Sequence, residues 1–168
     1  MSRDHRAADP EGPLGFGILT VSDSRTPETD LGGRILLEAV ERAGHLSVSY
    51  AIVPDGIEEV RAAVADLAAT EDVDLVVVTG GTGVSPRDST PEAVEPLFER
   101  RLPGFGELFR LLSWDEVGPA AFLSRAGAGL IAGKPVFLLP GSPAAVRLAI
   151  ERLILPEAAH LVAVCRAK

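Results

Sequence analysis

Segments with strand character alternate with segments of helical character along most of this chain, and this alternation limits the folds open to it. The clearest strand is VDLVVVTGG, Val73–Gly81, which is apolar almost throughout, as a strand covered on both faces should be. Further strands are predicted at Phe16–Ser22, at Ser47–Pro54 and in the run KPVFLLPG. Strands separated by helices favour a mostly parallel sheet with helices on both faces and right-handed crossovers. The fold class is therefore α/β, and we predict a single domain over residues 14–168.

The helices are predicted from apolar residues spaced three and four apart. DLGGRILLEAVERAGH should form a helix that stops at Gly44, and GIEEVRAAVADLAAT should form the next. A helix from about Pro91 to Arg100 and a short helix within LPGFGELFRLLSW should follow. The glycine-interrupted segment AAFLSRAGAGLIAG is either a hairpin or a loop with a short strand. Pro156 should break or kink the last helix, which begins at SPAAVRLAIERLIL.

Charge and composition restrict the partners. A net charge of -8 and a pI near 4.9 argue against nucleic acid and membrane partners, because a nucleic acid duplex or an anionic membrane would repel such a surface. An anionic substrate would need local attraction from backbone amides or a metal ion. The one cysteine, Cys165, cannot form an intramolecular disulfide, and no apolar run approaches the length of a membrane span. Residues 1–13 are typical of a disordered tail and not of a signal peptide. We expect a cytoplasmic protein.

Four short polar or glycine-rich turns follow predicted strands. The carboxyl ends of parallel strands share one edge of the sheet, and open α/β proteins bind their ligands there. We therefore expect the turns to converge, and we expect Ser22 and Asp23 to contribute to substrate binding. The four turns are Ser22–Arg25, Pro54–Gly56, Gly80–Gly83 and Pro140–Pro143.

The turn GGTG, Gly80–Gly83, has two interpretations. Its glycines leave backbone amides uncovered and allow positive φ, so the turn can close around an anion. An ordinary tight turn between a strand and a helix explains the same residues. It is not a Walker loop, because the chain's only lysines are Lys134 and Lys168. Nor is it a dinucleotide fingerprint, because Pro86 stands where the third glycine would be.

Asp88 is not needed to cap the helix that follows it. Ser89 and Glu92 have capping-box spacing, and Thr90 before Pro91 fits a cap with proline at the first helical position. Asp88 is therefore a candidate ligand for a Mg²⁺ ion that bridges phosphates.

Asp55 and Ser142 lie at the same predicted edge. Asp55 in VPDG is explained by a turn, or by a functional role beside Asp88. Ser142 should cap a helix whose free amides and dipole favour an anion.

Six motifs in order resemble the MoaB/Mog family of molybdenum cofactor biosynthesis, and they are closest to its MoaB branch. They are TVSDSRTPETD, VPDG, TGGTGVSPRDSTPEA, LPGFGELFR, LSRAGAG and LPGSPAAV, and the resemblance extends from Phe16 to about Leu161. It implies a three-layer α/β/α fold, the molybdopterin-binding fold. It also implies transfer of AMP from Mg·ATP to the terminal phosphate of molybdopterin, with release of pyrophosphate.

The resemblance assigns roles to particular residues. Asp55 and Asp88 match the family's two essential aspartates, so both are expected to be catalytic, and both are candidates to hold Mg²⁺. Gly32 stands where many MoaB-type sequences have serine. The substrate-binding residues it implies are Gly80, Gly81, Thr82, Gly83, Ser124, Arg125, Pro140, Gly141, Ser142 and Pro143.

The resemblance also implies partners. Family members form homotrimers, MoaB-type proteins form hexamers, and the product would be handed to a molybdenum insertase. A non-catalytic molybdopterin-binding or carrier protein of the same fold is the alternative, although both aspartates are present, which favours activity.

Overall fold

Six strands form one sheet in the computed structural model, which describes residues 12–167. They are β1 (Gly15–Val21), β2 (Leu46–Val53), β3 (Leu75–Thr79), β4 (Arg100–Arg101), β5 (Gly127–Ile131) and β6 (Lys134–Leu139). The strand order is β2-β1-β3-β6-β5-β4. The first three strands and β6 run parallel, whereas β5 is antiparallel to β6 and β4 is antiparallel to β5. The predicted disordered tail, residues 1–13, lies outside the described residues except for Gly12 and Pro13.

Helices cover both faces of the sheet. They are α1 (Leu31–Arg42), α2 (Ile57–Ala69), α3 (Thr90–Val94), α4 (Pro103–Val117), α5 (Pro143–Ala149) and α6 (Leu155–Arg166). Short 3-10 turns occupy Glu95–Leu97 and Gly118–Leu123, and a π-helical turn occupies Ile150–Ile154. Within residues 12–167, no helix is both long enough and apolar enough to cross a bilayer.

Two apolar cores lie on opposite faces of the sheet, which gives the predicted three layers. Successive residues of β3 point to opposite faces. Leu75 and Val77 join the core beneath α1, α4, α5 and α6, whereas Val76 and Val78 join the core beneath α2 and α3. All of β3 is buried, as its apolar sequence predicted. The predicted α/β/α fold class is therefore confirmed.

A buried carboxylate fixes the start of α1. Asp30 is 1% exposed and accepts hydrogen bonds from Gly33 N at 2.9 Å, Thr20 Oγ1 at 2.6 Å and Tyr50 Oη at 2.7 Å. Burial alone would raise the pKa of Asp30, but these three hydrogen bonds and the charge of Arg25 outweigh it and hold that pKa below its ordinary value. The network ties the start of α1 to β1 and β2.

The predicted helix from about Pro91 to Arg100 is shorter than expected. The α-helix ends at Val94, a 3-10 turn follows, and Arg100 already belongs to β4. Pro96 is the physical reason, because it lacks the N–H that the next α-helical hydrogen bond would need. The predicted capping box is also wrong, since Ser89 makes no side-chain cap hydrogen bond.

Three other segments refine the prediction. The short helix expected in LPGFGELFRLLSW is α4, which has 15 residues. The glycine-interrupted segment forms a hairpin, in which β5 pairs antiparallel with β6 through a turn at Ala132 and Gly133. The regular α-helix ahead of Pro156 is interrupted, as predicted, but the chain stays helical through a π turn instead of breaking.

Candidate functional site

The four predicted turns meet at one edge of the sheet. Ser22 N donates to Val53 O at 2.9 Å, which joins the ends of β1 and β2. Gly80 N donates to Leu139 O at 2.9 Å, which joins the ends of β3 and β6. Asp55 N donates to Asp23 Oδ1 at 2.9 Å, so the first two turns also touch directly. The convergence predicted from the carboxyl ends of parallel strands is confirmed.

Ser124 and Arg125 reach the same edge by a different route. They precede β5, and because β5 runs antiparallel to β6, its first residue, Gly127, pairs with Leu138 at the carboxyl end of β6. Arg125 N then donates to Thr82 O at 2.9 Å. No pattern of parallel strands predicts this position, and only the family resemblance pointed to it.

Protein donors occupy every carbonyl oxygen of the Gly80–Gly83 turn. Gly80 O accepts from Thr90 Oγ1 at 2.8 Å, and Gly81 O accepts from Thr90 N at 3.0 Å. Arg125 supplies the other two donors, through its backbone N to Thr82 O and through its Nε to Gly83 O at 2.8 Å. Gly80 and Gly81 adopt φ values of 104° and 68°, which favour glycine. The carbonyl dipoles of the turn therefore point into the protein.

The amides of the same turn behave differently. Gly80 N bonds to the end of β6, but the amides of Gly81, Thr82 and Gly83 donate to no acceptor within the described part of the chain. The hydroxyl oxygen of Thr82 is also buried without a hydrogen-bond partner. A turn with satisfied carbonyls and free amides presents positive charge, which is what an anion such as phosphate requires. Of the two interpretations of this turn, the geometry favours the anion cradle.

Three aspartates lie close to this cradle. Asp55 Oδ1 is buried without a hydrogen-bond partner, and a Cβ on Gly81 would lie 3.1 Å from it. A Cβ on Gly83 would lie 2.7 Å from Asp88 Oδ2, which accepts a hydrogen bond from Ser85 N at 2.9 Å. Asp23 forms an ion pair with Arg87. The carboxylates of Asp55 and Asp88 therefore lie along the glycine turn, and that of Asp23 lies next to the backbone of Asp55.

The electrostatics of Asp55 reflect this crowding. Burial raises the pKa of Asp55 above its ordinary value, and the negative charges of Asp23 and Asp88 raise it further. The positive charge of Arg87 opposes the shift. The negative charge of ionised Asp55 is thus unfavourable, and a bound cation or protonation of the carboxylate would relieve it.

The carboxylates fit only one kind of metal site. No group of three His, Cys, Asp or Glu side chains among residues 12–167 is arranged to hold a metal ion. That arrangement does not suit an ion held entirely by protein ligands. It does suit Mg²⁺, which usually keeps water and phosphate ligands and takes one or two carboxylates from the protein. The unpartnered Asp55 Oδ1 and the half-buried Asp88 are the carboxylates available for it.

The Pro140–Pro143 turn closes the other side of the cradle. Ser142 caps α5 by accepting from Ala145 N at 3.3 Å, as predicted. A Cβ on Gly141 would lie 3.5 Å from the Cα of Gly80, so the two turns are nearly in contact. Beside them is a mostly apolar cavity of about 250 Å³, whose lining includes Phe109, Ser113, Ser124, Pro140, Ser142 and Ala145.

Gly32 belongs to the same neighbourhood. It lies in the first turn of α1, where a Cβ would be 3.5 Å from Val146 and 3.6 Å from Gly141 O. A serine at this position would therefore fit, with its hydroxyl beside the Pro140–Pro143 turn.

Sequence reasoning missed the parts played by Thr90 and Arg87. Thr90 was interpreted as a helix cap, but its hydroxyl holds Gly80 O, and it is fully buried. Arg87, which follows the Gly80–Gly83 turn within the same motif, forms an ion pair with Asp23 of the first turn. The one available signal was that both residues lie within the motif that contains Asp88.

The fold and this edge define an α/β protein with a candidate ligand site, in which free turn amides lie beside aspartate carboxylates. Comparison with known proteins sharpens that class. The family described as "Probable molybdopterin binding domain" matches residues 17–160, and the chain belongs to this family. The molybdenum cofactor biosynthesis protein B of Bacillus subtilis (strain 168) is 48% identical over 146 residues, which cover 86% of each chain.

Solved structures agree with this assignment. A crystal structure of molybdenum cofactor biosynthesis protein B has a TM-score of 0.91 and 45% identity, and it covers 95% of this chain and 100% of that chain. The tungsten cofactor synthesizing protein MoaB from Pyrococcus furiosus has a TM-score of 0.84 and 40% identity, with 94% and 99% covered. The predicted relationship to the MoaB branch is confirmed.

Proposed function

We propose that this protein acts in molybdenum cofactor biosynthesis by transferring AMP from Mg·ATP to the terminal phosphate of bound molybdopterin, with release of pyrophosphate. The observation that carries the proposal is the Gly80–Gly83 turn, whose carbonyls are all held by protein donors while three of its amides are free. Asp55 and Asp88 lie beside that turn. Free amides next to carboxylates suit a phosphate–metal ligand better than a phosphate alone, which the carboxylates would repel.

The reaction needs no strong general base. An oxygen of the molybdopterin phosphate, already ionised at neutral pH, attacks the α-phosphorus of ATP. The bond from that phosphorus to the bridging oxygen breaks, and pyrophosphate leaves with the electron pair. Catalysis then consists of positioning and of stabilising charge on the phosphoryl oxygens.

Each part of the edge has a place in this scheme. The amides of Gly81, Thr82 and Gly83 donate to phosphate oxygens, and Asp88 and Asp55 hold Mg²⁺. When bound, Mg²⁺ neutralises phosphate charge and acts as a Lewis acid. Ser22 and Asp23 border the site on the β1 side. Ser124 and the Pro140–Pro143 turn border the apolar cavity, which suits the pterin ring system better than a phosphate.

We further propose that the protein forms a homotrimer or a hexamer and hands its product to a molybdenum insertase. Exposed apolar side chains support self-association, because contiguous apolar surface on a soluble chain marks interaction sites. On α4 and the 3-10 turn that follows, Leu108, Leu111, Trp114 and Phe122 are between 51% and 75% exposed. Light scattering coupled to size-exclusion chromatography tests this proposal, and a monomer at micromolar concentration would refute it.

A molybdopterin carrier without transferase activity is the second candidate. One observation favours it: the free amides of the Gly80–Gly83 turn and the apolar cavity beside Ser142 can bind a phosphate-bearing pterin without a metal ion. A carrier would need the amide cradle and the apolar cavity but no Mg·ATP.

ATP separates the two candidates. The transferase should bind ATP in the presence of Mg²⁺ when followed by calorimetry, and it should release pyrophosphate only when molybdopterin is also present. Tight molybdopterin binding with no ATP binding and no pyrophosphate release would replace the transferase by the carrier. Where a carboxylate variant such as Asp88→Asn is compared, Asp66→Asn is the control for nonspecific charge effects, because it changes an exposed carboxylate on α2.

A further inference from the structure

The side chain of Arg125 is bonded entirely to the protein that surrounds the glycine turn. Its Nε donates to Gly83 O at 2.8 Å, and its Nη2 donates to Asp88 O at 2.9 Å. Its Nη1 pairs with Glu92 in the first turn of α3. All three guanidinium nitrogens therefore have protein acceptors.

These contacts span the segment that carries the proposed chemistry. Gly83 ends the amide cradle, Asp88 is the candidate metal ligand, and Glu92 belongs to the helix that follows. The backbone N of Arg125 adds a fourth contact, to Thr82 O at 2.9 Å. One residue from a distant part of the chain thus fixes the spacing between cradle and carboxylate.

We propose that Arg125 is a positioning residue, which fixes the distance between the free amides of the turn and the Asp88 carboxylate, and that it is not a phosphate ligand. This inference rests on the proposed function, and it replaces the substrate contact that the family resemblance implied for Arg125. The guanidinium is half-buried, with 34% of the side chain exposed, and its pairing with Glu92 already lowers the pKa of that carboxyl. Each nitrogen of this guanidinium is therefore held by a protein acceptor, and its charge is already paired with a carboxylate.

The planar fork of arginine is what this role requires. A guanidinium reaches three acceptors in one plane, whereas a lysine ammonium is a point charge that cannot hold the same three positions. The conservative variant Arg125→Lys therefore separates the two roles. A phosphate ligand should be partly replaced by lysine, while a positioning fork should not.

The test uses hydrogen exchange and kinetics on four full-length proteins. They are the wild type, Arg125→Lys, Glu92→Gln and the control Arg166→Lys, which alters an arginine–aspartate ion pair at the opposite edge of the sheet. The exchange probes are the amides of Ser85, Asp88 and Thr90, which are hydrogen-bonded within the segment that Arg125 holds. The kinetic readouts are kcat and the KM values for Mg·ATP and molybdopterin.

Arg125→Lys should speed exchange at these amides by roughly tenfold or more, since the loss of one hydrogen bond from a charged donor has about that effect on a local opening equilibrium. It should lower kcat by a similar factor, with a smaller change in either KM. Glu92→Gln should stay within about twofold of wild type in both readouts, because the contacts to Gly83 O and Asp88 O remain. Arg166→Lys should leave exchange in Ser85–Thr90 unchanged.

Two results would overturn the inference. Unchanged exchange at Ser85, Asp88 and Thr90 in Arg125→Lys would show that the set of Arg125 contacts, the clamp, does not hold this segment. Retained kcat with a raised KM for Mg·ATP would show a phosphate contact instead. The exchange readout does not depend on activity, so a wild type that transfers no AMP would defeat the proposed function while faster exchange in Arg125→Lys would still support the clamp.

Discussion

Gly81→Ala adds one methyl group to the Gly80–Gly83 turn and tests how tightly that turn is packed. Gly81 has a φ of 68°, in the left-handed region, where a residue with a Cβ loses roughly 1–2 kcal/mol. The new methyl group would overlap Thr90 Oγ1, because it would lie well inside the 3.0 Å that real Cβ atoms respect. It would also lie 3.1 Å from Asp55 Oδ1.

Relief of that overlap has its own cost. Thr90 would have to turn away, and its buried hydrogen bond to Gly80 O, 2.8 Å long, would be lost. Leaving a buried acceptor unsatisfied costs about 1–3 kcal/mol. The free energy of unfolding should therefore fall by about 2–5 kcal/mol in total.

Gly44→Ala is the matched control. Gly44 has a φ of 80°, but a Cβ there would have nothing within 4 Å, so only the backbone strain of roughly 1–2 kcal/mol applies. Urea denaturation gives the free energies, and thermal melts should separate the variants by about 2–4 °C for each kcal/mol of difference. Gly81→Ala should also weaken Mg·ATP binding, and Gly44→Ala should not. Equal destabilisation by the two variants would refute the tight packing of the turn against Thr90 and Asp55.

Three further predictions concern groups around the cradle. Because folding raises the pKa of Asp55, the metal-free protein loses stability as pH rises from the ordinary aspartate pKa, about 4, through the raised pKa of the folded state. Asp55→Asn should therefore raise the melting temperature at neutral pH, with a difference that shrinks towards about pH 4. A melting temperature unaffected by Asp55→Asn at neutral pH would contradict this. Gly32→Ser should be tolerated within about 0.5 kcal/mol in urea denaturation, since its Cβ meets only ordinary contacts, the nearest at 3.5 Å; a loss of several kcal/mol would disprove the fit beside Gly141. Tyr50→Phe removes a hydrogen bond to the buried Asp30 carboxylate and should cost about 1.5–3 kcal/mol in the same assay, whereas no loss would argue against that network.

The parallel part of the fold was predictable because its signals are local. The buried run of β3, the helical spacing in α1 and the positive-φ stop at Gly44 each depend on a few neighbouring residues. Strand order then brings the four turns to one edge by topology alone. The sequence therefore predicted Asp55, Asp88 and the Gly80–Gly83 turn as neighbours.

The remaining features depend either on how a proline affects its own helix or on contacts distant in sequence. Pro96 shortens α3, although the apolar spacing continues to Leu97, and the π turn before Pro156 keeps a helix that proline alone should break. The antiparallel pairing of β5 brings Arg125 to the site, and a glycine-rich segment gives no periodic signal for that pairing. The satisfied carbonyls of the turn are likewise invisible in the sequence, because Thr90 and Arg125 provide the donors.

AMP transfer by Asp88→Asn tests the central claim most directly. In the wild type, Ser85 N donates to Asp88 Oδ2 at 2.9 Å. Asparagine keeps an oxygen that can accept this hydrogen bond, so the loop is retained while the charge is removed. With molybdopterin, Mg²⁺ and ATP labelled at the α-phosphate, the wild type should form adenylylated molybdopterin, and Asp88→Asn should form it about 100-fold more slowly. Transfer by Asp88→Asn at the wild-type rate, or molybdopterin binding by the wild type without any labelled product, would contradict the account.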